Sequence, residues 1–243
     1  AGDVNAANDS CRVLLAVQAP GHWVERTSVP SLPGGRDVGK GGALAALQST
    51  LYALKGNKTN DFYRYPIGET TWLTPSPIPD GREAKKVSDG GALTGDGSRF
   101  LYATKGNNTL GFWRYDTQGD SWSQRPDLPK APSNKKVKGG ASLAYVEHGG
   151  AGWVYCLKGG KTDFYRYEVE ADTWHTLTPA PSGDRAKWDK GSWLVWDRAH
   201  TLYAHKAKYH ELWAYDLVTD TWLPASLPGM PTLGLSGRKK SKD

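Results

Sequence analysis

The sequence has little of what stapled domains, membrane spans and common enzyme sites require. Only two of its 243 residues are cysteine, Cys11 and Cys156. That excludes a disulfide-dense scaffold, and no zinc-type spacing is present. Cys156 stands where other copies of its segment have alanine, so it reads as a small buried apolar group. A bridge to Cys11 is allowed by this reading but not implied. Methionine occurs once and phenylalanine four times. No apolar run is long enough to cross a bilayer, so no membrane insertion is expected. No long segment carries the apolar period of a globular helix. The six histidines (His22, His148, His175, His200, His205 and His210) show no metal-ligand spacing. No Gly-x-Ser-x-Gly elbow and no phosphate-cradling glycine loop appear. We therefore expect no catalytic residue, no metal and no cofactor. Paired carboxylates that meet only in the fold stay open.

Trp, Tyr and Gly are abundant instead, and they recur in order. Leu51-Tyr-Ala-Leu-Lys-Gly-Asn57, Leu101-Tyr-Ala-Thr-Lys-Gly-Asn107, Val154-Tyr-Cys-Leu-Lys-Gly-Gly160 and Leu202-Tyr-Ala-His-Lys206 are copies of one segment. Each leads to Phe62-Tyr-Arg-Tyr65, Phe112-Trp-Arg-Tyr115, Phe164-Tyr-Arg-Tyr167 or Leu212-Trp-Ala-Tyr215. Each then reaches a tryptophan: Trp72, Trp122, Trp174 or Trp222, spaced 48 to 52 residues apart. A period near 50 built of short strands indicates a radial β array.

One repeat shows the plan. Strand a covers 90–94, a glycine-rich hairpin turn follows, and strand b covers 100–104. A loop at 105–109 leads to strand c over 112–115. A second turn at 116–120 leads to strand d over 121–124. Asp127-Leu-Pro and Lys130-Ala-Pro carry the chain onward, because proline cannot continue a ladder. The other repeats are expected to fit this plan. Four antiparallel strands repeated about an axis make a propeller blade.

The order of residues resembles the kelch repeat, in which a strand ending in a double glycine precedes a Tyr-Asp strand end and a tryptophan. Tyr115-Asp116 with Trp122 and Tyr215-Asp216 with Trp222 match closely. Tyr65-Pro66 and Tyr167-Glu168 match less well. The double glycine is replaced by Lys-Gly at Lys55, Lys105 and Lys158 and by Lys-Ala at Lys206. The resemblance spans about residues 11 to 230 and implies an all-β propeller of four-stranded antiparallel blades. It implies no particular activity, since propellers host unrelated ones. The turn over 116–120 looks like the Asp-box of sialidase-like propellers, but Arg114 stands where that motif needs Ser or Thr.

The blades are expected over 38–83, 84–133, 134–183 and 186–230. Residues 11–33 read as a partial blade of strands c and d, with Trp23 ten residues after Val13-Leu-Leu-Ala-Val17. The segment 231–243 reads as a tail or as the start of another blade. Three arrangements fit: a five-bladed ring with one thin blade, a fragment of a longer propeller, or an oligomer that covers the open edges. The sequence begins at Ala1 without methionine. A processed product is expected, placed in an extracellular or periplasmic setting.

Antiparallel order puts the b–c loops and the d–a connectors at one end of the array. The loops hold Lys55, Lys58, Lys105, Lys158, Lys161, Lys206 and Lys208. The connectors hold Lys40, Lys85, Lys86, Lys135, Lys136, Lys138, Lys187 and Lys190. The a–b and c–d turns at the other end carry Asp96, Asp116, Asp120, Asp172, Asp216 and Asp220 among others. Net charge is +6, and lysines crowded at one mouth favour an anion. The candidate ligand residues are Lys55, Lys105, Lys158 and Lys206 with Lys86, Lys136, Lys138 and Lys190. The competing reading pairs the repeat lysines inside the fold, because Asp61, Asp163 and Glu211 recur just before strand c.

Trp188 breaks the repeat within a basic connector and is the candidate platform for a sugar ring. Trp153, Trp193 and Trp196 break it too and read as local packing. Asn8, Asn57 and Asn107 head glycosylation-type triplets, with turn chemistry as the simpler explanation. The expected function is a non-catalytic scaffold whose lysine-rich face docks an anionic protein or surface glycan. A lectin-like module and a purely structural subunit of a larger assembly are the alternatives. Nucleic acid ranks low, because arginine, the better phosphate fork, is sparse on that face.

Overall fold

The computed structural model describes residues 25–31 and 36–229. It is all-β. Blade 1 contains β1 (Ala43–Leu47), β2 (Thr50–Leu54) and β3 (Phe62–Pro66). Blade 2 contains β4 (Gly91–Gly95), β5 (Phe100–Lys105), β6 (Phe112–Asp116) and β7 (Ser121–Arg125). Blade 3 contains β8 (Ser142–His148), β9 (Ala151–Leu157), β10 (Phe164–Glu168) and β11 (Thr173–Thr176). Blade 4 contains β12 (Trp193–Trp196), β13 (Thr201–Lys206), β14 (Glu211–Asp216) and β15 (Thr221–Trp222). Every sheet is an antiparallel meander in chain order. The first strands are innermost, with β1 against β4, β4 against β8 and β8 against β12. This is a four-bladed β-propeller array.

Blade 1 departs from the expected plan. Its fourth strand is reduced to a single bridge between Arg64 and Leu73. In blades 2 and 4, Asp116 and Asp216 cap turn N–H groups of Gln118, Val218 and Thr219. Pro66 holds that position in blade 1 and has no carboxylate to offer. The turn aspartates Asp120, Asp172 and Asp220 take a left-handed backbone (φ 44°, 54° and 56°). Asp120 and Asp220 accept hydrogen bonds from Tyr115 and Tyr215 at 2.5 and 2.6 Å, and Asp172 accepts one from Tyr167. In blade 1 the Tyr65 hydroxyl donates to a backbone oxygen, that of Glu69.

The core lies between blades rather than inside them. Phe62 packs edge-on against Tyr115 and Trp122 of the next blade, with centroids 4.9 and 5.0 Å apart. Phe112 repeats this with Tyr167 and Trp174, and Phe164 with Tyr215 and Trp222. Each strand-d tryptophan also donates its indole N–H backward to a connector carbonyl. Trp122 reaches Ser76, Trp174 reaches Pro126 and Trp222 reaches Thr178, at 2.9, 2.9 and 3.2 Å. Trp72 makes the same bond to Thr27 at 2.8 Å. Leu44 of β1 is 54% exposed, while its counterparts Leu93, Leu143 and Leu194 are 8%, 6% and 8% exposed. Those three are covered by a preceding blade.

The expected partial blade falls mostly outside the described residues, which exclude 13–17 and Trp23. Residues 25–31 carry no strand. Among the described residues no helix is long and apolar enough to cross a membrane.

Candidate functional site

The loops and connectors expected to share one end do meet there. Asn57 N–H donates to Lys40 O, Lys58 N–H to Val87 O, Asn107 N–H to Asp89 O and Asn108 N–H to Val137 O. The b–c loops of blades 1 and 2 are thus bonded to the connectors on both sides of their blades. Near the axis the connectors touch backbone to backbone. A Cβ on Gly90, which has φ +90°, would lie 2.3 Å from Lys138 O. Lys190 of the fourth connector reaches Asp89 of the second at 3.3 Å, skipping the third. An ion pair between blades that are not neighbours requires convergence on a shared axis.

The four repeat lysines do not line the mouth. Lys55, Lys105, Lys158 and Lys206 are 1%, 2%, 0% and 0% exposed. The ammonium groups of Lys105, Lys158 and Lys206 face inward and fasten their b–c loops to the connector before, while that of Lys55 meets Asp61. Lys105 Nζ donates to the carbonyls of Pro79 and Asp80 at 2.7 and 3.0 Å. Lys158 Nζ donates to those of Pro129 and Lys130, each at 3.0 Å. Lys206 Nζ does the same with Ser182 and Arg185. Lys55, Lys158 and Lys206 also meet Asp61, Asp163 and Glu211. The expectation that Lys55, Lys158 and Lys206 contact a ligand from the rim is corrected; Lys105 is buried as well but lines a cleft. A buried ammonium with hydrogen bonds to carbonyls and a carboxylate is a structural clasp.

Trp188 is corrected in the same way. It is fully buried, with its indole N–H donating to Pro181 O at 3.1 Å and its ring against Trp222. It occupies the place that Val87 and Val137 hold in the earlier connectors, both also buried. A tryptophan at this position fills the core between blades 3 and 4 and offers no platform to a sugar.

The remaining candidates are on the surface. Lys86 and Lys138 are exposed and form no ion pair among the described residues. Lys136 is half-buried and paired with Glu83, and Lys190 is held by Asp89. At the opposite end the acids are tied to arginines: Asp116 to Arg99, Asp172 to Arg125 and Asp220 to Arg166. The Tyr115 hydroxyl and nearby Ser76 hold the Asp120 carboxyl below its ordinary range. Cys156 is fully buried, and burial pushes its thiol up, away from reactivity. Asn57 and Asn107 take left-handed turns, and their side-chain amides donate to Asp37 O and Lys86 O. Both amides are engaged in holding turns, as turn chemistry predicted.

A cleft opens on this face, in blade 2. Lys105, Gly111 and Trp113 line it together with Arg82 and the acids Asp80, Glu83 and Asp127. Lys105 lies 5.9 Å from the Trp113 ring centroid. Burial lowers the Lys105 pKa from 10.5 to about 8, against the pull of Asp80 and Glu83. The sequence signal for this cleft was present and unread: Gly111 interrupts the series Asp61, Asp163, Glu211.

No family model matches the chain, and no curated protein matches it. Solved structures do match. A structure of YjhT superimposes with a TM-score of 0.55 at 13% identity, covering 82% of this chain and 67% of that one. A likeness at this identity carries the fold alone.

Proposed function

We propose that the chain is a non-catalytic binding or scaffold module of kelch-like type. Its lysine-bearing connector face docks an anionic partner, a protein or a surface glycan, in an extracytoplasmic assembly. The observation that supports this reading most directly is the state of Lys86 and Lys138. Both stand exposed on adjacent connectors without an ion pair among the described residues, while Asp116, Asp172 and Asp220 at the opposite end are each held by an arginine. Docking of this kind weakens as salt rises, because exposed charges are screened within about 10 Å at roughly 0.1 M ionic strength. The test is capture of partners on heparin-like and acidic-protein surfaces across a salt series, using wild type and Lys86→Glu/Lys138→Glu. Retention that is indifferent to both salt and charge reversal defeats the proposal.

A second reading, that further chain completes the array before blade 1, rests on Trp72. Its bond to Thr27 repeats the latch by which the other three tryptophans hold a preceding blade. On this reading residues 11–33 act as the partial blade and cover Leu44. Removing residues 1–24 is then expected to raise amide exchange in β1 and β3 selectively. Unchanged protection in those strands would exclude it.

A further inference from the structure

Blade 2 lacks a group that the other three blades possess. The residue before strand c is Asp61, Asp163 or Glu211 in those blades, and its carboxylate lies 3.4, 2.6 or 3.4 Å from the buried lysine. In blade 2 that residue is Gly111, and Lys105 meets no carboxylate among the described residues. Blade 4 shows what a carboxylate does there beside a tryptophan. Glu211 Oε2 accepts from Trp213 Nε1 at 2.9 Å and lies 3.4 Å from Lys206 Nζ. Trp113 is the counterpart of Trp213. It is 5% exposed, and its Nε1 is buried without a hydrogen-bond partner among the described residues. A buried indole N–H is normally paired, so this donor marks a position where an acceptor belongs.

The cleft lies at that position. Its three native acids are already engaged and do not serve as the missing acceptor. Glu83 accepts from Leu110 N–H and pairs with Lys136. Asp80 accepts from Asn60 at 2.6 Å, and Asp127 from Gln124 at 2.9 Å. Asp80, Glu83 and Asp127 outnumber Lys105 and Arg82 around the opening, which disfavours a dianion such as phosphate and admits a single negative group. We propose that the blade 2 cleft binds the carboxylate of a ligand, held between the Lys105 ammonium and the Trp113 indole N–H as Glu211 is held in blade 4. The site deepens the docking reading by naming the anion, and it rests on that reading only for the source of the group. A small monocarboxylic acid and the side chain of an acidic peptide present the same chemistry.

Titration of the whole chain with acetate tests this, with the tryptophan indole N–H resonances followed by NMR. Trp113→Phe assigns the reporting resonance by its loss. Acetate is expected to shift that resonance saturably at constant ionic strength, while chloride and phosphate leave it in place. Lys105→Met weakens the response at least tenfold, and Gly111→Asp, which supplies the chain's own carboxylate, abolishes it. Affinity also falls as pH rises through about 8, where the Lys105 ammonium is lost. A tetraglutamate peptide separates the sources: saturation at tenfold lower concentration than acetate assigns the site to a partner's side chain, and equal concentrations assign it to a small acid. No saturable shift with acetate or peptide overturns the proposal, as does a wild-type response to chloride equal to that to acetate. Lys86→Glu/Lys138→Glu leaves the acetate response intact, so the two readings fail separately.

Discussion

Blades 2 and 3 hold the same lysine in different company. In blade 3, Lys158 lies between two connector carbonyls, the Tyr165 hydroxyl at 2.8 Å and the Asp163 carboxylate at 2.6 Å. Asp163 in turn accepts from Ser133, and the Tyr165 hydroxyl donates to Ala131 O. Every polar group of that clasp has a partner inside the fold. In blade 2, Lys105 keeps the two carbonyls, but Gly111 and Trp113 replace the acid and the phenol. The difference separates two roles that one repeated residue can hold. The lysine belongs to the architecture in every blade, and only where its carboxylate is missing does it have something left to offer a ligand.

The largest expected effect tests the blade 3 side of this contrast. Lys158→Met leaves Asp163 buried and unpaired, and is expected to cost about 3–5 kcal/mol in denaturant unfolding. Adding Asp163→Leu removes the stranded charge and should recover at least half of the loss. A smaller effect belongs to blade 2. Lys105→Met strands no acid, only the carbonyls of Pro79 and Asp80, and should cost about 1–2 kcal/mol by the same assay. Equal losses at the two positions would erase the distinction between the blades.

The smallest effect is a dependence on pH. Burial lowers the Lys105 pKa to about 8 from 10.5, so between these values the unfolded chain binds more protons than the folded one. Stability therefore gains from this residue as pH rises across that window. Gly111 does not have a left-handed φ, so a side chain is conformationally allowed there, although its Cβ would lie 3.1 Å from Trp113 Nε1. Gly111→Asp gives Lys105 a carboxylate and should flatten the rise. Parallel unfolding curves for wild type and Gly111→Asp from about pH 7.5 to 10 measure it, and identical slopes would show that the acid makes no contact.

Much of the architecture was legible because turns and strands announce themselves locally. In blade 2 the expected strands match β4 to β7 to within one residue at each end, since glycine and aspartate mark both hairpins. The reduced fourth strand of blade 1 was not expected, although Pro66 stands there in place of the capping aspartate of blades 2 and 4. The shared end of loops and connectors followed from antiparallel order alone. What stayed hidden was the direction of side chains. The repeat lysines left two readings open, and the inward pairing with Asp61, Asp163 and Glu211 is the one found for Lys55, Lys158 and Lys206, while Lys105 points inward to connector carbonyls alone. Trp188 was misread for a related reason. It breaks the aromatic repeat but continues the series Val87, Val137, and that register, rather than its residue type, decides burial.

The backward bond from each strand-d tryptophan gives the array a grammar. Trp72, Trp122, Trp174 and Trp222 all point the same way along the chain, toward a carbonyl 44 to 48 positions earlier. A duplicated unit of that length would arrive with its own donor and leave its own acceptor for the next, so growth by whole units invents no new joint. Loss of a unit would be equally clean. Such a molecule can change its number of blades and keep the same tryptophan bond between neighbours.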